Sequence, residues 1–310
     1  MLHLQPSGAY TTLDTLLRLR FVVSDLSLFA RRASADVMNG SIRTRFRGRG
    51  MEFEEVRLYQ AGDDIRSIDW RVTARTQTTH TKLFREERER PVFLMVDQRS
   101  PMFFGSKQCF KSVYAAHLAS LLGWTALSNS DRIGAQVFGD LSHRDIRPRR
   151  SKHALMELLH QLNDFNHQLK RPIAASGANQ CIDMLADVRR IAKPGSAVFL
   201  LSDFHDFNPA CEEQLFQLRR HTDVTLFHIY DDLERRLPSA NMLTITDGNK
   251  RLTINTTERG FSNKFTQHFE SQRQALEKTC VNLAIPLVSA NIKQDPIQLL
   301  AGIYGRKRRR

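Results

Sequence analysis

The sequence predicts an α/β fold with a doubly wound, mainly parallel sheet. Two apolar runs, Val92–Val96 and Ala197–Leu201, have the length of buried strands, and an aspartate follows each within two residues (Asp97 and Asp203). Segments with helical spacing alternate with these and other short apolar runs. Such alternation is typical of βαβ units, in which helices cover both faces of a parallel sheet. We therefore expect the wound sheet to occupy residues 91–295.

The elements of this domain follow one another at regular intervals. A turn sequence, Asp247-Gly248-Asn249-Lys250, separates two short β-like runs and predicts a hairpin. We expect strands at 92–96, 133–138, 197–201, 224–229, 242–246, 251–255 and 286–290, and helices at 110–127, 153–164, 181–191, 211–220 and 261–283.

Different patterns flank this domain on both sides. Leucines and phenylalanines at helical spacing predict a helical segment within residues 1–40, and short charged runs separated by glycines follow up to residue 90. We therefore assign residues 1–90 to an N-terminal helical segment with a small, irregular, β-containing subdomain. Residues 296–310 are predicted to form a basic C-terminal tail that ends in Arg306–Arg310.

The charge balance of the chain is strongly basic, with a net charge of +13 and a pI of about 10.0 over 310 residues. Such a balance favours contact with nucleic acid, anionic lipid or an acidic protein. No apolar run approaches the length of a membrane span, and the N-terminus lacks the pattern of a signal peptide. The four cysteines are far apart, with no C-x-x-C pair. We therefore expect a soluble cytoplasmic protein in a reducing compartment.

The two aspartates that follow the apolar strands define the candidate site. Ligands of wound sheets bind at the carboxyl ends of the strands, near the point where the strand order reverses. Asp97 and Asp203 are therefore expected to share a site at that edge. The simpler interpretation, which stays open, is that each aspartate only caps the loop or helix after it.

A strand that ends in aspartate, with a second aspartate after a later strand, resembles the von Willebrand factor A fold. That resemblance implies a Mg²⁺ site made by a D-x-S-x-S loop, a threonine and the second aspartate. Here Arg99 and Pro101 stand at the two hydroxyl positions, and Ala178 is near the position of the threonine. We hypothesise that Arg99 pairs with Asp97, Asp203 or both in place of the metal. No cofactor is expected; weak Mg²⁺ binding by the two aspartates is the alternative.

A second resemblance rests on the run Arg57-Leu58-Tyr59-Gln60-Ala61-Gly62-Asp63-Asp64-Ile65-Arg66-Ser67-Ile68-Asp69-Trp70. This run is similar to the signature of the family numbered 58 among domains of unknown function. We interpret it as a charge-paired turn in which arginines pair with aspartates and an aspartate caps a short helix. Tyr59 and Trp70 are expected to anchor this turn against the sheet domain by burying apolar area. A docking surface for a partner is the alternative. The signature residues are Arg57, Tyr59, Gly62, Asp63, Asp64, Arg66, Asp69, Trp70 and Arg75.

The family resemblance implies a functional partnership with MoxR-type AAA+ ATPases and with other von Willebrand factor A-like proteins. The chain has neither a G-x-S-x-G elbow nor a Walker A motif, so no enzymatic activity is expected. We predict a non-catalytic adaptor; a basic nucleic-acid-binding protein and an Mg²⁺-dependent protein-binding domain are the alternatives. The predicted docking residues are Asp97, Arg99, Ser100, Ala178, Asn179, Asp203, His205 and Asp206.

Overall fold

The computed structural model describes residues 5–24, 26, 28, 51–86, 91–170, 180–238, 242–246, 251–254 and 259–305. The chain divides into a large unit, residues 1–30 and 90–310, and a small unit, residues 31–89. The predicted boundary near residue 90 matches this division. The first 30 residues, predicted to belong with the small subdomain, belong with the sheet instead.

The strands within the described residues form one large sheet and two hairpins. The large sheet has the order β10-β7-β6-β3-β4-β5, in which only the edge strand β5 is antiparallel to its neighbour. This order confirms the predicted doubly wound, mainly parallel α/β fold. The strands are β1 (Met51–Leu58), β2 (His80–Glu86), β3 (Val92–Asp97), β4 (Ile133–Phe138), β5 (His143–Arg149), β6 (Ala197–Ser202), β7 (Asp223–Tyr230), β8 (Leu243–Thr246), β9 (Arg251–Ile254) and β10 (Leu287–Asn291).

Helices connect the parallel strands and begin where the sequence supplies capping side chains. The side chain of Ser151 accepts a hydrogen bond from the fourth helix, and Asn208 caps the sixth, in which a proline occupies the first turn. The helices are α1 (Leu13–Arg18), α2 (Trp70–Thr76), α3 (Lys111–Ser128), α4 (Lys152–Asn166), α5 (Gln180–Ile191), α6 (Pro209–Arg219), α7 (Asp232–Arg235), α8 (Arg259–Asn282) and α9 (Pro296–Tyr304).

Two predictions about the chain ends need correction. Residues 1–40 were predicted to be helical, but within the described part only Leu13–Arg18 is α-helical, followed by a 3₁₀ turn to Phe21. The predicted tail from residue 296 starts as a helix instead, because Asp295 caps α9 and Pro296 fits its first turn. Leu300 anchors this helix in the core, so the chain remains folded up to residue 305.

The core lies on both faces of the large sheet. Along β3, alternate side chains point to opposite faces: Leu94 packs in the cluster with α3 and α4, whereas Met95 packs in the cluster with α5 and α6. Helix α3 is buried along nearly its whole length because other helices cover its outer side. No helix within the described ranges is long and apolar enough to cross a membrane.

The small unit is a two-stranded antiparallel ribbon joined by the family signature. β1 pairs with β2, and the connection between them holds a 3₁₀ turn, Ile65–Ser67, followed by α2. The hairpin predicted around Asp247–Lys250 is present as the pair β8–β9, whose turn residues lie outside the described ranges.

Candidate functional site

The candidate site lies where the order of the strands reverses. The chain passes from β3 to β4 on one side and returns as β6 on the other side of β3. All three strands run in the same direction, so the residues after them gather at one edge of the sheet. This edge holds Asp97 at the end of β3 and Asp203 just after β6, as predicted.

Arg99 is the centre of a buried ion-paired cluster at this edge. Its side chain is fully buried, and its Nε and Nη2 atoms donate to Asp97 at 3.0 and 2.8 Å. Nη1 and Nη2 also donate to Asp206, at 2.9 and 3.2 Å. The hydroxyl of Ser202 donates to the same Asp97 carboxylate at 2.6 Å. One guanidinium therefore bridges two carboxylates that would otherwise repel each other in the interior, and the three groups together keep one negative charge.

The second carboxylate of this cluster is Asp206 rather than Asp203. Of the two partners proposed for Arg99, Asp97 is the one that it contacts, and its other carboxylate is Asp206. The backbone N–H of Cys181 donates to Asp206 at 2.9 Å and holds that carboxylate against the start of α5. Burial alone would lower the pKa of Arg99, but the charges of Asp97 and Asp206 raise it above its ordinary value.

Asp203 has a separate cation, Lys111, at the start of α3. The ammonium group of Lys111 is buried and donates to Asp203 at 2.7 Å and to Glu234. Burial raises the pKa of Glu234 above its ordinary value. The pKa of Asp203 is lowered, because the charge of Lys111 and the hydrogen bond from His205 outweigh the opposing effect of burial. Asp203 is therefore ionised and paired in the folded protein.

His205 lies between the two ion-paired clusters. Its Nδ1 is 3.1 Å from Asp203 and 3.7 Å from Asp206, and 43% of its side chain is exposed. Burial would lower its pKa, but the two carboxylates raise it above the ordinary value for histidine. His205 is thus the most exposed member of the two clusters, ahead of Glu234 at 27% and Asp206 at 19%.

The exposed part of the edge is formed by loops after β3 and β4. Ser100 is exposed, and its hydroxyl and backbone N–H donate to Asp140 at 2.6 and 3.0 Å. The next residue, Leu141, is 78% exposed at the tip of the β4–β5 turn. Asp97 and Arg99 are fully buried and therefore support this surface without forming it. Ala178 and Asn179, both predicted docking residues, lie outside the described residues.

Three residues of the two ion-paired clusters, Ser202, Lys111 and Glu234, were not predicted. Asp140, which accepts hydrogen bonds from the exposed Ser100, was not predicted either. A positional signal was available for two of them. Asp140 comes two residues after the end of β4, much as Asp97 comes at the end of β3, and Ser202 directly precedes Asp203. Lys111 and Glu234 carry no such signal, because only the three-dimensional packing of α3 and α7 brings them to Asp203.

The residues present do not fit the Mg²⁺ that the von Willebrand factor A resemblance implies. Mg²⁺ requires about six oxygen ligands near octahedral geometry. Both oxygens of Asp97 already accept from the Arg99 guanidinium, which also occupies the space between Asp97 and Asp206. Within the described ranges, no group of three or more carboxylate, histidine or cysteine side chains is arranged to hold a metal.

The family signature in the small unit is built as a pair of capped turns. Asp63 pairs with Arg57 at 2.8 Å and accepts the backbone N–H of Gln60 at 2.9 Å. The hydroxyl of Tyr59 donates to the Asp63 carbonyl at 3.2 Å. Gly62 has a φ of +103°, a conformation that other residues rarely adopt, so the predicted tight turn requires this glycine.

The second turn of the signature is capped by acidic side chains. Asp64 accepts the backbone N–H of Arg66, and Asp69 accepts those of Arg71 and Val72 at the start of α2. Asp69 also pairs with Lys82 at 3.3 Å, a cation that was not predicted. Trp70 is 67% exposed, and its predicted packing against the sheet domain stays a prediction. Arg66, assigned as an ion-pair partner, is exposed, and so is the remaining signature arginine, Arg75.

Similarity to known proteins covers both units. The family described as "Protein of unknown function DUF58" matches residues 55–275 of the chain. The uncharacterized protein Rv1480 of Mycobacterium tuberculosis (strain ATCC 25618 / H37Rv) is 23% identical over 295 residues, which are 94% of this chain and 90% of that protein.

Two solved structures are similar at a lower level. The conserved hypothetical protein BatB from Bacteroides thetaiotaomicron is 13% identical, with a TM-score of 0.38 over 62% of this chain and 98% of that chain. The SpRpn10 VWA domain is 12% identical, with a TM-score of 0.36 over 69% of this chain and 94% of that chain. These scores are too low to define the fold, which rests on the order and direction of the strands.

Proposed function

The chain belongs to the DUF58 family, and on that premise we propose that its sheet unit is a non-catalytic protein-binding module that works with a MoxR-type AAA+ ATPase. In this role the ATPase supplies energy for the assembly or remodelling of a protein complex, and this chain supplies recognition. The observation that carries the proposal is Arg99, a fixed cation between Asp97 and Asp206 where the fold resemblance implies a metal.

The carboxylates of the ion-paired edge are suited to binding rather than to catalysis. A general acid or base must reach a substrate and exchange a proton near neutral pH. Asp97 has no exposed surface, and the pKa of Asp206 is lowered because its hydrogen bond with Arg99 outweighs the effect of burial. Asp203 is likewise paired and ionised. These carboxylates therefore act as fixed charges that shape the edge.

The charge of the edge defines the kind of partner surface that fits it. Asp97, Asp206, Asp203 and Glu234 are four acidic groups, against the two cations Arg99 and Lys111 and the titratable His205. The edge is therefore acidic, although the whole chain has a net charge of +13. A partner with cationic side chains complements this edge, and such complementarity favours both orientation and a fast association rate.

Leu141 gives this surface an apolar anchor. It is 78% exposed and follows Asp140, which is hydrogen-bonded to Ser100 at the same edge. Interfaces commonly combine an apolar centre with a polar rim. We therefore place the centre of the docking surface at Leu141, with Ser100, Asp140 and His205 around it.

The test measures binding of the purified chain to a purified MoxR-type ATPase in ATP-bound and ADP-bound states. Leu141→Ser is compared with Val281→Ser, because Val281 is 74% exposed at the end of α8, the helix that leads to the amino end of β10. We expect Leu141→Ser to weaken binding by about fivefold or more, the effect of losing a contact worth at least 1 kcal/mol. Val281→Ser should change binding by less than about twofold.

Two outcomes contradict this proposal. One is the absence of a complex in both nucleotide states. The other is equal weakening by Leu141→Ser and Val281→Ser, because the latter substitution lies away from the proposed surface. Asp203→Arg is a poorer test, since Asp203 is nearly buried against Lys111 and its replacement would disturb the fold itself.

The proposal also requires that the edge function without a metal. Calorimetric titration of the chain with Mg²⁺ should show no binding at micromolar concentrations. Micromolar binding that disappears in Asp97→Ala would contradict the substitution of Arg99 for the ion and would favour an Mg²⁺-dependent binding domain instead.

A further inference from the structure

A cavity of about 200 Å³ lies beside the ion-paired edge, between the carboxyl ends of β6 and β7 and the helix α8. Three apolar side chains of α8 line it: Phe265, Phe269 and Leu276. His205 and Gln272 also line it, and both are exposed. The cavity therefore has apolar walls and a polar opening, which is the usual composition of a ligand pocket.

His228 of β7 is the distinctive polar group of this cavity. It is only 5% exposed, and its ring stacks on Tyr230, with the centroids 5.6 Å apart. Burial lowers its pKa to about 4, so the ring is neutral at physiological pH. Its Nδ1 has no hydrogen-bond partner among the described residues. A buried polar atom without a partner costs free energy, so a ligand that supplies the missing hydrogen bond gains affinity.

The charged groups around the cavity are already paired. Lys111 binds Asp203 and Glu234, and Arg273 binds Glu270 at 3.1 Å. His205 contacts Asp203. A charged ligand would have to compete with these pairs, whereas a neutral ligand would leave them intact. The chemistry of the cavity therefore favours a neutral ligand with an apolar body and one group able to hydrogen-bond.

We propose that this cavity binds a tyrosine side chain from an extended segment of the partner protein, with the phenol hydroxyl hydrogen-bonded to Nδ1 of His228. The cavity of about 200 Å³ is lined by the rings of Phe204, Phe265 and Phe269, which offer apolar surface to an aromatic ring. The phenol both donates and accepts, so it satisfies the ring nitrogen in either tautomer. Tyrosine is enriched among the residues that dominate interfaces. The inference rests on the proposed protein-binding function and adds a specificity pocket to its docking surface.

The direct test uses two short glycine-rich peptides that differ only in one central residue, tyrosine or phenylalanine. Binding to the full chain is measured by NMR titration. We expect the tyrosine peptide to bind about 2- to 10-fold more tightly, the range that one net hydrogen bond supplies. In His228→Phe, which keeps the ring but lacks the nitrogen, the two peptides should bind equally.

A matched pair of variants tests the location. Gln272→Trp places a large ring at the cavity and should weaken the tyrosine peptide at least 10-fold. Gln274→Trp makes the same substitution two residues away on α8 at an exposed position outside the cavity lining, and should leave binding within about twofold. Equal effects of the two variants would overturn the location, and equal binding of both peptides to the unmodified chain would overturn the hydrogen bond.

Free p-cresol distinguishes a partner segment from a small ligand. It carries the same ring and hydroxyl but no peptide, so it should bind more weakly than the tyrosine peptide. If p-cresol binds as tightly as the peptide, the proposed ligand of the cavity is a small phenol and not a segment of a protein partner. If the chain forms a complex with the ATPase but does not bind the tyrosine peptide, only the inference about the cavity is overturned. If the chain binds the peptide but forms no complex with the ATPase, only the proposed ATPase partnership is overturned.

Discussion

Replacement of Arg99 by methionine tests the central feature of the site. The substitution keeps a long side chain in the core but removes the cation between Asp97 and Asp206. Asp97 is fully buried and, among the described residues, would retain only the hydroxyl of Ser202 and the backbone N–H of residue 99 as donors. Asp206 is 19% exposed and can regain part of its hydration. The penalty therefore falls mainly on Asp97.

The magnitude follows from the cost of leaving a buried charge without its partner. Removal of one member of a buried ion pair costs about 3–5 kcal/mol. For a unit of this size, such a loss lowers the melting temperature by about 6–20 °C. Adding Asp97→Asn to Arg99→Met removes the orphaned charge, so the double variant should be more stable than Arg99→Met alone.

Thermal unfolding followed by tryptophan fluorescence measures this effect in the sheet unit. The chain has two tryptophans, of which Trp124 is buried in α3. In a Trp70→Phe background the signal therefore reports on the sheet unit alone. Arg219→Met is the matched control, because Arg219 forms an exposed ion pair with Asp223 at 3.9 Å. We expect that control to cost less than about 1 kcal/mol.

The reasoning is refuted if Arg99→Met costs no more than Arg219→Met. It is also refuted if the double variant is less stable than Arg99→Met, because the repulsion and desolvation of Asp97 would then not be the cause of the loss. If Arg99→Met lowers the stability by the same large amount whether residue 97 is Asp or Asn, the aliphatic part of Arg99 stabilises the fold by packing.

Three further predictions concern other buried or capping groups. Lys111→Met should lower the melting temperature, and adding Glu234→Gln should restore part of the loss, because one of the two orphaned charges is removed. Burial lowers the pKa of His117 to about 4. The stability that the neutral His117 contributes is therefore full above about pH 6.5 and is lost as the pH falls towards 4. His117→Phe should therefore make the free energy of unfolding in urea less dependent on pH between about 4 and 6.5. Asp69→Ala should speed amide hydrogen exchange in α2, whereas Asp69→Asn, which keeps a capping oxygen, should not. Equally fast exchange in both variants would show that loss of the cap is not the cause of the faster exchange.

The sheet itself was largely predictable, because its strands carry a strong hydrophobic signal. β3 and β6 are buried on both faces, and their sequences are therefore continuous apolar runs. β5 was missed because it lies at the sheet edge, where Ile146 is its only buried residue. A strand with a single buried position has no periodicity for a sequence analysis to detect. The signal thus weakens from the centre of the sheet towards its edge.

The site was predictable in its location but not in its pairing. The rule that ligands bind at the carboxyl ends of strands placed Asp97 and Asp203 correctly at one edge. Arg99 is two residues from Asp97, so its local pairing could be proposed from the sequence. The choice of Asp206 over Asp203 depends on the backbone N–H of Cys181 at the start of α5, and that placement is a tertiary effect. Lys111 then accounts for the charge of Asp203.

Each of the two buried cations pairs with two carboxylates: Arg99 with Asp97 and Asp206, and Lys111 with Asp203 and Glu234. Because these cations replace a metal ion, the charge of the edge does not depend on the metal concentration. A metal-dependent edge exchanges its ion with solvent, so its charge and shape follow the metal concentration. Arg99 and Lys111 belong to the chain, and the pKa of each is raised by its carboxylate partners against the opposing effect of burial. Their charges therefore persist throughout the physiological pH range. Asp203 and Asp206 raise the pKa of His205 above its ordinary value of about 6.5, so a change in partner affinity as the pH rises through that raised pKa should disappear in His205→Gln.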